Sequence, residues 1–556
     1  MTGAELSSLM AGPSPHAVLD LRERAAYAGG HIFRATNLPR CLLEFRLFQL
    51  VTAKRTPIVL CDADGRLAAL ALPAVRAMGF TDVRVLDGGL EAWRREGRGT
   101  ITGINVPSKA FGEWALHTLR TPQIPPHELQ AWIDGGRDMV IVDSRTPEEY
   151  ARGCIPGAWS MPGGELMLRI GELAKSPKTT IVVHCGGRTR SYIGAESLRR
   201  MGLPNPIVAL ENGTMGWELA GLTLERGADR RVAEVSEASR KRAAAAALLI
   251  AKDDGIASIA PAALEALWAR RAEENVALLD VRTREEYEEG HVAGATWAPG
   301  GQAVQATDEY IAVRAARVVL VCDGAGRSTM TAAWLKRMGM PEVSVLAGGL
   351  PAWKAGGGAV ETGHPDPEPW GYVAARAAVG TLGPVELLAA LGGAQAPPAP
   401  AKALPAPAKA LPAPAKAPPA PAKAPMVLSV DQSDVYARGH VPGAAWLCRS
   451  RLEWKAPQAL SDRAQALVLT CRDGRHSTLA AAALARLGYA SVRVLEGGTQ
   501  AWERKGLALE TGKTLLLDET DDVVLKPYEK GREAMEAYLK WEVDLDPAAL
   551  DAARSK

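Results

Sequence analysis

Cysteine is the most reactive side chain in this sequence, and one stretch of the chain is arranged around it. An apolar, β-branched run ends at Cys185 and opens into Cys185-Gly-Gly-Arg-Thr-Arg-Ser191. A strand that feeds a tight loop and then a helix aims several backbone N–H groups at one point. That nest, together with the helix N-terminus, stabilises negative charge. A thiol placed there loses its proton more readily and becomes a better nucleophile. Gly186 and Gly187 let the backbone curl around the sulfur. Arg188 and Arg190 supply charged donors, and Thr189 and Ser191 supply hydroxyls, for an anionic substrate. The pattern predicts a loop that holds a thiolate, or a persulfide made from it, and receives an oxyanion.

Three other cysteines stand in related loops: Cys61-Asp-Ala-Asp-Gly-Arg66, Cys322-Asp-Gly-Ala-Gly-Arg327 and Cys471-Arg-Asp-Gly-Arg-His-Ser477. Cys61, Cys322 and Cys471 are therefore further candidate nucleophiles. Arg66, Arg327, Arg472, Gly474 and Arg475 are further candidates for anion binding. An acid directly after the cysteine opposes thiolate formation and repels an anionic donor. That ranks Cys185 first, Cys471 second, Cys322 third and Cys61 last. Cys41, Cys154 and Cys448 have no such loop and read as small buried apolar residues.

The elements that must carry these loops recur with them. Val18-Leu-Asp-Leu-Arg22 returns as Ile141-Val-Asp-Ser-Arg145, as Leu278-Leu-Asp-Val-Arg282 and, more weakly, as Val427-Leu-Ser-Val-Asp431. Each is followed by a glycine (Gly30, Gly153, Gly290, Gly439), then by its cysteine, then by a tryptophan (Trp93, Trp217, Trp353, Trp502) closing a Gly-Gly or Asn-Gly turn. The cysteine lies 41 or 42 positions after the third residue of each strand motif. Fixed spacings in fixed order mark a repeat. Short apolar runs alternating with helical patterns predict an α/β fold, four tandem domains, each a small parallel β-sheet with helices on both faces. In such sheets ligands gather at the carboxyl ends of strands, where the cysteines fall.

The predicted boundaries are 1–105, 120–227, 253–363 and 375–513. Residues 228–252 read as a helical linker and 514–556 as a helical tail that caps the body. The Pro/Ala/Lys-rich stretch at about 394–425 favours extended polyproline geometry and reads as an insertion inside copy four. The Asp20–Arg22, Asp143–Arg145 and Asp280–Arg282 pairs are expected to brace the strand end. The four tryptophans are expected in the core, and His184 is expected to point away from the pocket because strand side chains alternate.

Composition narrows the function classes. The 556 residues carry a formal net charge of +2, which gives no field for nucleic acid or anionic membrane. No apolar run is long enough to span a bilayer, and no secretory signal is visible. The seven cysteines are scattered and odd in number, with no Cys-x-x-Cys pair. That argues for a reducing, cytoplasmic chain of free thiols. It gives no support to a zinc site or another metal or cofactor. His31, His291 and His440 lack a second ligand nearby.

The Asp-x-Arg strand, the Gly-His-Val-Pro-Gly-Ala-type turn, the Cys loop and the Gly-Gly-x-x-x-Trp turn together resemble the rhodanese (thiosulfate sulfurtransferase) family, four times over. The resemblance implies sulfane-sulfur transfer from thiosulfate or a related donor, through a cysteine persulfide, to a thiol or cyanide. Copy four comes nearest to the family's usual Cys-Arg-x-Gly opening but lacks the Asp-x-Arg pair. The loops do not match the Cys-Gly-Ser/Ala-Gly-Val pattern of mercaptopyruvate sulfurtransferases. A persulfide carrier that hands sulfur to an acceptor protein is the alternative. A thiol phosphatase or arsenate reductase on the same fold is disfavoured. Such phosphatases place five residues between Cys and Arg, whereas four separate Cys185 from Arg190.

Overall fold

The computed structural model describes residues 1–392 and 424–545. It contains four α/β units. In copy two the strands lie in the order Gln123–Ile124, Ile207–Leu210, Thr180–His184, Met139–Asp143, Trp159–Ser160, all parallel. Copies three and four repeat that order around their central strands Arg317–Val321 and Leu467–Thr470. Copy one keeps the core of the sheet around Ile58–Cys61, and Val313–Arg314 of copy three adds to its strand His16–Asp20 in antiparallel fashion. The central strands are buried along almost their whole length, which suits sheets covered on both faces.

Repeated side chains hold repeated corners. Arg145 binds Asp143 at 2.7 Å and reaches the Gly153 carbonyl, and Arg22 and Arg282 do the same with Asp20 and Gly30, and Asp280 and Gly290. The pair thus fastens the strand end to the turn that follows. Each tryptophan of the Gly-Gly-type turns is buried and donates its indole N–H to a carbonyl six residues on, as Trp217 does to Thr223 at 3.1 Å. His31, His291 and His440 stack on Tyr27, Tyr287 and Tyr436 with ring centroids 3.7 Å apart.

The copies associate as nested pairs. Copy two meets copy three through Gly163–Gly164 and Gly300–Gly301, where a side chain on Gly164 would come within 2.9 Å of the Gly300 backbone. Copy one meets copy four at the corresponding corner, where the Cys41 N–H donates to Ser450 Oγ at 3.1 Å and Phe45 stacks on His476 at 4.3 Å. Between copies two and three runs helix Glu237–Asp254, capped by Ser236 and ended by Gly255. Its buried side, including Ala243, Ala247 and Ile250, belongs to the largest apolar cluster. The Pro/Ala/Lys-rich stretch lies outside the described residues except at its last two positions. The nearest strands on either side of it, Gly380–Leu382 and Met426–Ser429, belong to one sheet. The final helix, Arg532–Val543, lies on copy two, against Val106–Thr118 and Gly213–Leu219.

Candidate active site

Copy two's central strand delivers Cys185 to the sheet's carboxyl edge, and helix Thr189–Arg200 starts four residues later. The loop between them is pinned from behind. The Thr214 N–H donates to the Cys185 carbonyl at 2.8 Å and the Met215 N–H to the Gly186 carbonyl at 3.1 Å. Gly213 has φ +54°, and a Cβ there would collide with the Cys185 carbonyl, so the Asn-Gly turn needs its glycine. Cys185 is 2% exposed, and its Sγ lies 3.4 Å from Ser191 Oγ, which itself donates to the Arg188 carbonyl at 2.7 Å.

The two arginines of this loop do different things. Arg190 makes a two-pronged pair with Glu149, at 2.6 and 2.9 Å. Burial alone would raise the Glu149 pKa, but the Arg190 guanidinium holds it down to about 2. Burial would likewise lower the Arg190 pKa, and Glu149 with Cys185 nearby keeps it above the usual arginine range. Arg188, expected to receive an anionic donor, does not match that role. Its guanidinium grips Glu113 of helix Val106–Thr118 at 2.6 and 2.7 Å and Asn212 at 2.9 Å. A carboxylate on another helix engages one edge of the guanidinium that the loop sequence offered, and Asn212 engages a further donor.

Copy three repeats the arrangement under a cover. Cys322 Sγ lies 3.1 Å from Ser328 Oγ and accepts the Gly324 N–H at 3.3 Å. Arg327 is fully buried, bound to Glu286 at 2.6 Å, Glu165 of copy two at 2.8 Å and Asp323 at 3.2 Å. The bridging helix closes on this loop: a Cβ on Gly326 would meet Ala247 at 2.6 Å. In copy four, Cys471 Sγ accepts the Ser477 N–H at 3.3 Å and lies 3.4 Å from Ser477 Oγ and 3.7 Å from Asp473 Oδ1. Burial, with Asp431 beside it, pushes the Cys471 thiol up to about 12. Gly474 caps the helix that follows, in left-handed conformation. Arg472 faces outward to Glu503 at 2.6 Å, and Arg475 is engaged by Asp473 at 2.6 Å and Asp366 at 2.5 Å.

Copy one corrects the sequence reading outright. Cys61 is not at the loop position. It pairs in register with Asp20, as His184 does with Asp143, whereas Cys185 is the residue after that pair. The residue after Cys61 is Asp62, whose carbonyl accepts the Leu90 N–H at 2.9 Å, the bond that the Cys185, Cys322 and Cys471 carbonyls accept in their copies. Because strand side chains alternate, the Cys61 thiol faces the opposite way and joins an apolar cluster with Val18, Val59, Leu86 and Trp93. Burial, then Asp20, raises its pKa. Asp62 puts a carboxylate into the nest, accepting the Gly65 N–H at 2.5 Å and the Leu67 N–H at 2.6 Å. Arg66 accordingly corresponds to Arg475 and not to Arg190, and its exposed side chain pairs with Asp64 at 3.1 Å. The signal was present in the spacing: 41 positions from Asp20 to Cys61, and 42 in the other copies.

The sequence reading missed the partners. Glu149 and Glu286 each stand six residues after the strand aspartate, a repeat that could have been noticed. Glu113, Lys109, Tyr538 and Glu542 carry no local signal. Glu542 of the last helix accepts the Thr189 hydroxyl at 2.6 Å, and Lys109 lies 4.9 Å from the Tyr538 ring centroid and 4.8 Å from that of Trp541.

Comparisons with known proteins agree with this fold. The family model described as "Rhodanese-like domain" matches residues 2–96, 125–220, 263–356 and 415–505. A thiosulfate sulfurtransferase of Azotobacter vinelandii is 28% identical over 240 residues, which is 36% of this chain and 87% of the relative. A sulfurtransferase of Allochromatium vinosum is 29% identical over 102 residues, 18% of this chain and 92% of the relative. The crystal structure of a thiosulfate sulfurtransferase from Pseudomonas aeruginosa superposes with a TM-score of 0.88 at 37% identity, covering 100% of this chain and 98% of that one. With the family model matched over more than half its length and the whole fold shared, the chain belongs to the rhodanese family and carries four of its domains in tandem.

Proposed function

We propose that Cys185 is the working nucleophile of a rhodanese-type sulfurtransferase, taking sulfane sulfur from thiosulfate or a related donor and passing it to a thiol or cyanide. The observation that carries this reading is the copy-two loop. Its cysteine sits at the strand end, 3.4 Å from a serine hydroxyl, with no carboxylate among the loop's own residues. The Cys185 thiolate attacks the outer sulfur of the donor, the donor's S–S bond breaks and sulfite leaves. The acceptor then attacks the persulfide and frees the thiolate. Arg190, held by Glu149, supplies fixed positive charge near the sulfur. Cys471 and Cys322 rank behind it, one with its thiol held protonated and the other under the bridging helix. A reducing, cytoplasmic setting belongs to this reading, since it keeps the thiols available. Among the described residues no helix is long and apolar enough to cross a membrane.

A persulfide carrier serving a protein acceptor is the second reading. Cys185 is buried and the final helix lies against its loop at Gly187 and Thr189, which favours this reading, because a docking partner could displace that helix. Peptide mass spectrometry after incubation with thiosulfate tests the assignment: Cys185 gains one sulfur. Sulfur gained at Cys471 or Cys322, with none at Cys185, overturns it. Turnover with thiosulfate and cyanide in the absence of any partner separates the enzyme from the carrier.

A further inference from the structure

Copies two and four differ in where the carboxyl group beside their cysteine loop comes from. In copy four it is local: Asp473, two residues after the cysteine, brings Oδ1 to 3.7 Å from Cys471 Sγ. The corresponding residue of copy two is Gly187, which has no side chain. The space that its side chain would enter is filled from elsewhere. A Cβ on Gly187 would lie 3.0 Å from Met215 Cε and 3.1 Å from Glu542 Oε2, on helix Arg532–Val543.

Glu542 is 2% exposed. Its Oε1 is fixed by the Thr189 hydroxyl at 2.6 Å, while Oε2 is buried with no hydrogen-bond partner among the described residues. An unsatisfied buried carboxylate oxygen is costly to keep. It is held beside the cysteine loop, in a place where the loop's own sequence leaves a gap.

We propose that Glu542 is the proton acceptor for thiol acceptors at the Cys185 site. The inference rests on the sulfur-transfer reading above. In the step concerned, the acceptor's sulfur attacks the outer sulfur of the Cys185 persulfide. A new S–S bond forms, the bond to Cys185 breaks, and its electron pair stays on Cys185 as thiolate. The acceptor's proton goes to Glu542, which later releases it to water. The step needs no oxidant or reductant.

The surroundings suit this role. Burial raises the Glu542 pKa, which makes its carboxylate a stronger base, while Lys109, the Thr189 hydroxyl and Arg188 act the other way and Glu113 adds to the rise. Tyr538, four residues before it on the same helix, brings its hydroxyl close to this carboxylate without the geometry of a full hydrogen bond, and burial, then Glu542 and Cys185, push the Tyr538 pKa up. Lys109 is buried and its pKa is lowered to about 8 by that burial, with Glu542 opposing the fall.

A single-turnover chase tests the proposal. The full chain is loaded with thiosulfate, freed of donor and chased at pH 8 with either glutathione or sulfite. Glutathione arrives mostly protonated, whereas sulfite arrives as an anion with no proton to lose. In Glu542→Gln the glutathione chase slows on the order of 10–100-fold, while the sulfite chase holds or quickens. Glu542→Asp recovers part of the glutathione rate. Glu536→Gln, on the exposed side of the same helix, chases like wild type with both. Equal slowing with both acceptors, failure of Glu542→Gln to load sulfur, or an unchanged glutathione rate each overturns the proposal. A wild-type chain that gains no sulfur at Cys185 overturns the underlying sulfur-transfer reading instead, and the loading step reports it separately.

Discussion

Copies one and two place different groups at one structural position. Both end a buried central strand, both turn through a short loop into a helix, and both lean on a glycine of the turn before the tryptophan. In copy two the position holds Cys185; in copy one it holds Asp62. The carboxylate of Asp62 takes two loop N–H groups for itself, at 2.5 and 2.6 Å. The same backbone nest can therefore stabilise a reactive sulfur or be filled permanently by a side-chain anion. Filling it gives a self-satisfied loop with no nucleophile, which suits a domain that serves as scaffold for its neighbours.

The sharpest way to break that comparison is to remove each thiol. Cys185→Ser is expected to lower thiosulfate:cyanide transfer by at least about 100-fold, while Cys61→Ser and Cys154→Ser stay near wild type. A loss in Cys61→Ser matching that of Cys185→Ser would show that the register argument is wrong. The next effect is on stability. Arg188→Ala strands the buried Glu113 carboxylate, and breaking such a pair costs about 3–5 kcal/mol. Urea unfolding should show that loss, with the Michaelis constant for thiosulfate unchanged in the folded protein. A raised Michaelis constant at unchanged stability would restore Arg188 to the pocket.

Asp62→Ala leaves two loop N–H groups without an acceptor and should cost about 1–3 kcal/mol, with transfer activity retained. Activity lost in step with that of Cys185→Ser would make copy one part of the chemistry. The smallest effect concerns acid. Glu149 has a folded pKa of about 2 against 4.5 unperturbed. A depressed carboxylate pKa contributes stability that is fully present above the unfolded value and lost as pH falls through the folded one. The melting-temperature gap between wild type and Glu149→Gln should therefore be constant above about pH 5 and shrink between pH 4.5 and 2. A gap that persists undiminished at pH 2 would remove Arg190–Glu149 charge pairing as its cause.

The difference between Arg188 and Arg190 shows how far local sequence reaches. Both are loop arginines, two positions apart, and nothing near them in the chain separates their roles. Glu113 lies 75 residues before Arg188 and reaches it only because helix Val106–Thr118 lies against helix Thr189–Arg200. Glu149, by contrast, belongs to a repeated spacing, so its pairing with Arg190 could be read from copies two and three together.

The four-fold repeat, the α/β class and the position of a loop at each central strand end were legible in the chain alone, and so was the cysteine of that loop in copies two, three and four. Strand periodicity, turn glycines and the strand-to-loop spacing are local properties, and repetition makes them visible four times. Tertiary structure decided which residue enters the loop in copy one, because a spacing one residue shorter reverses the face that a strand side chain adopts. It also decided that the bridging helix closes on the Cys322 loop and that the last helix brings Glu542 against the Cys185 loop at Gly187 and Thr189. Those contacts depend on how whole domains meet. Complementary buried surfaces, distributed over distant parts of the chain, set that geometry, and no short stretch of sequence encodes it.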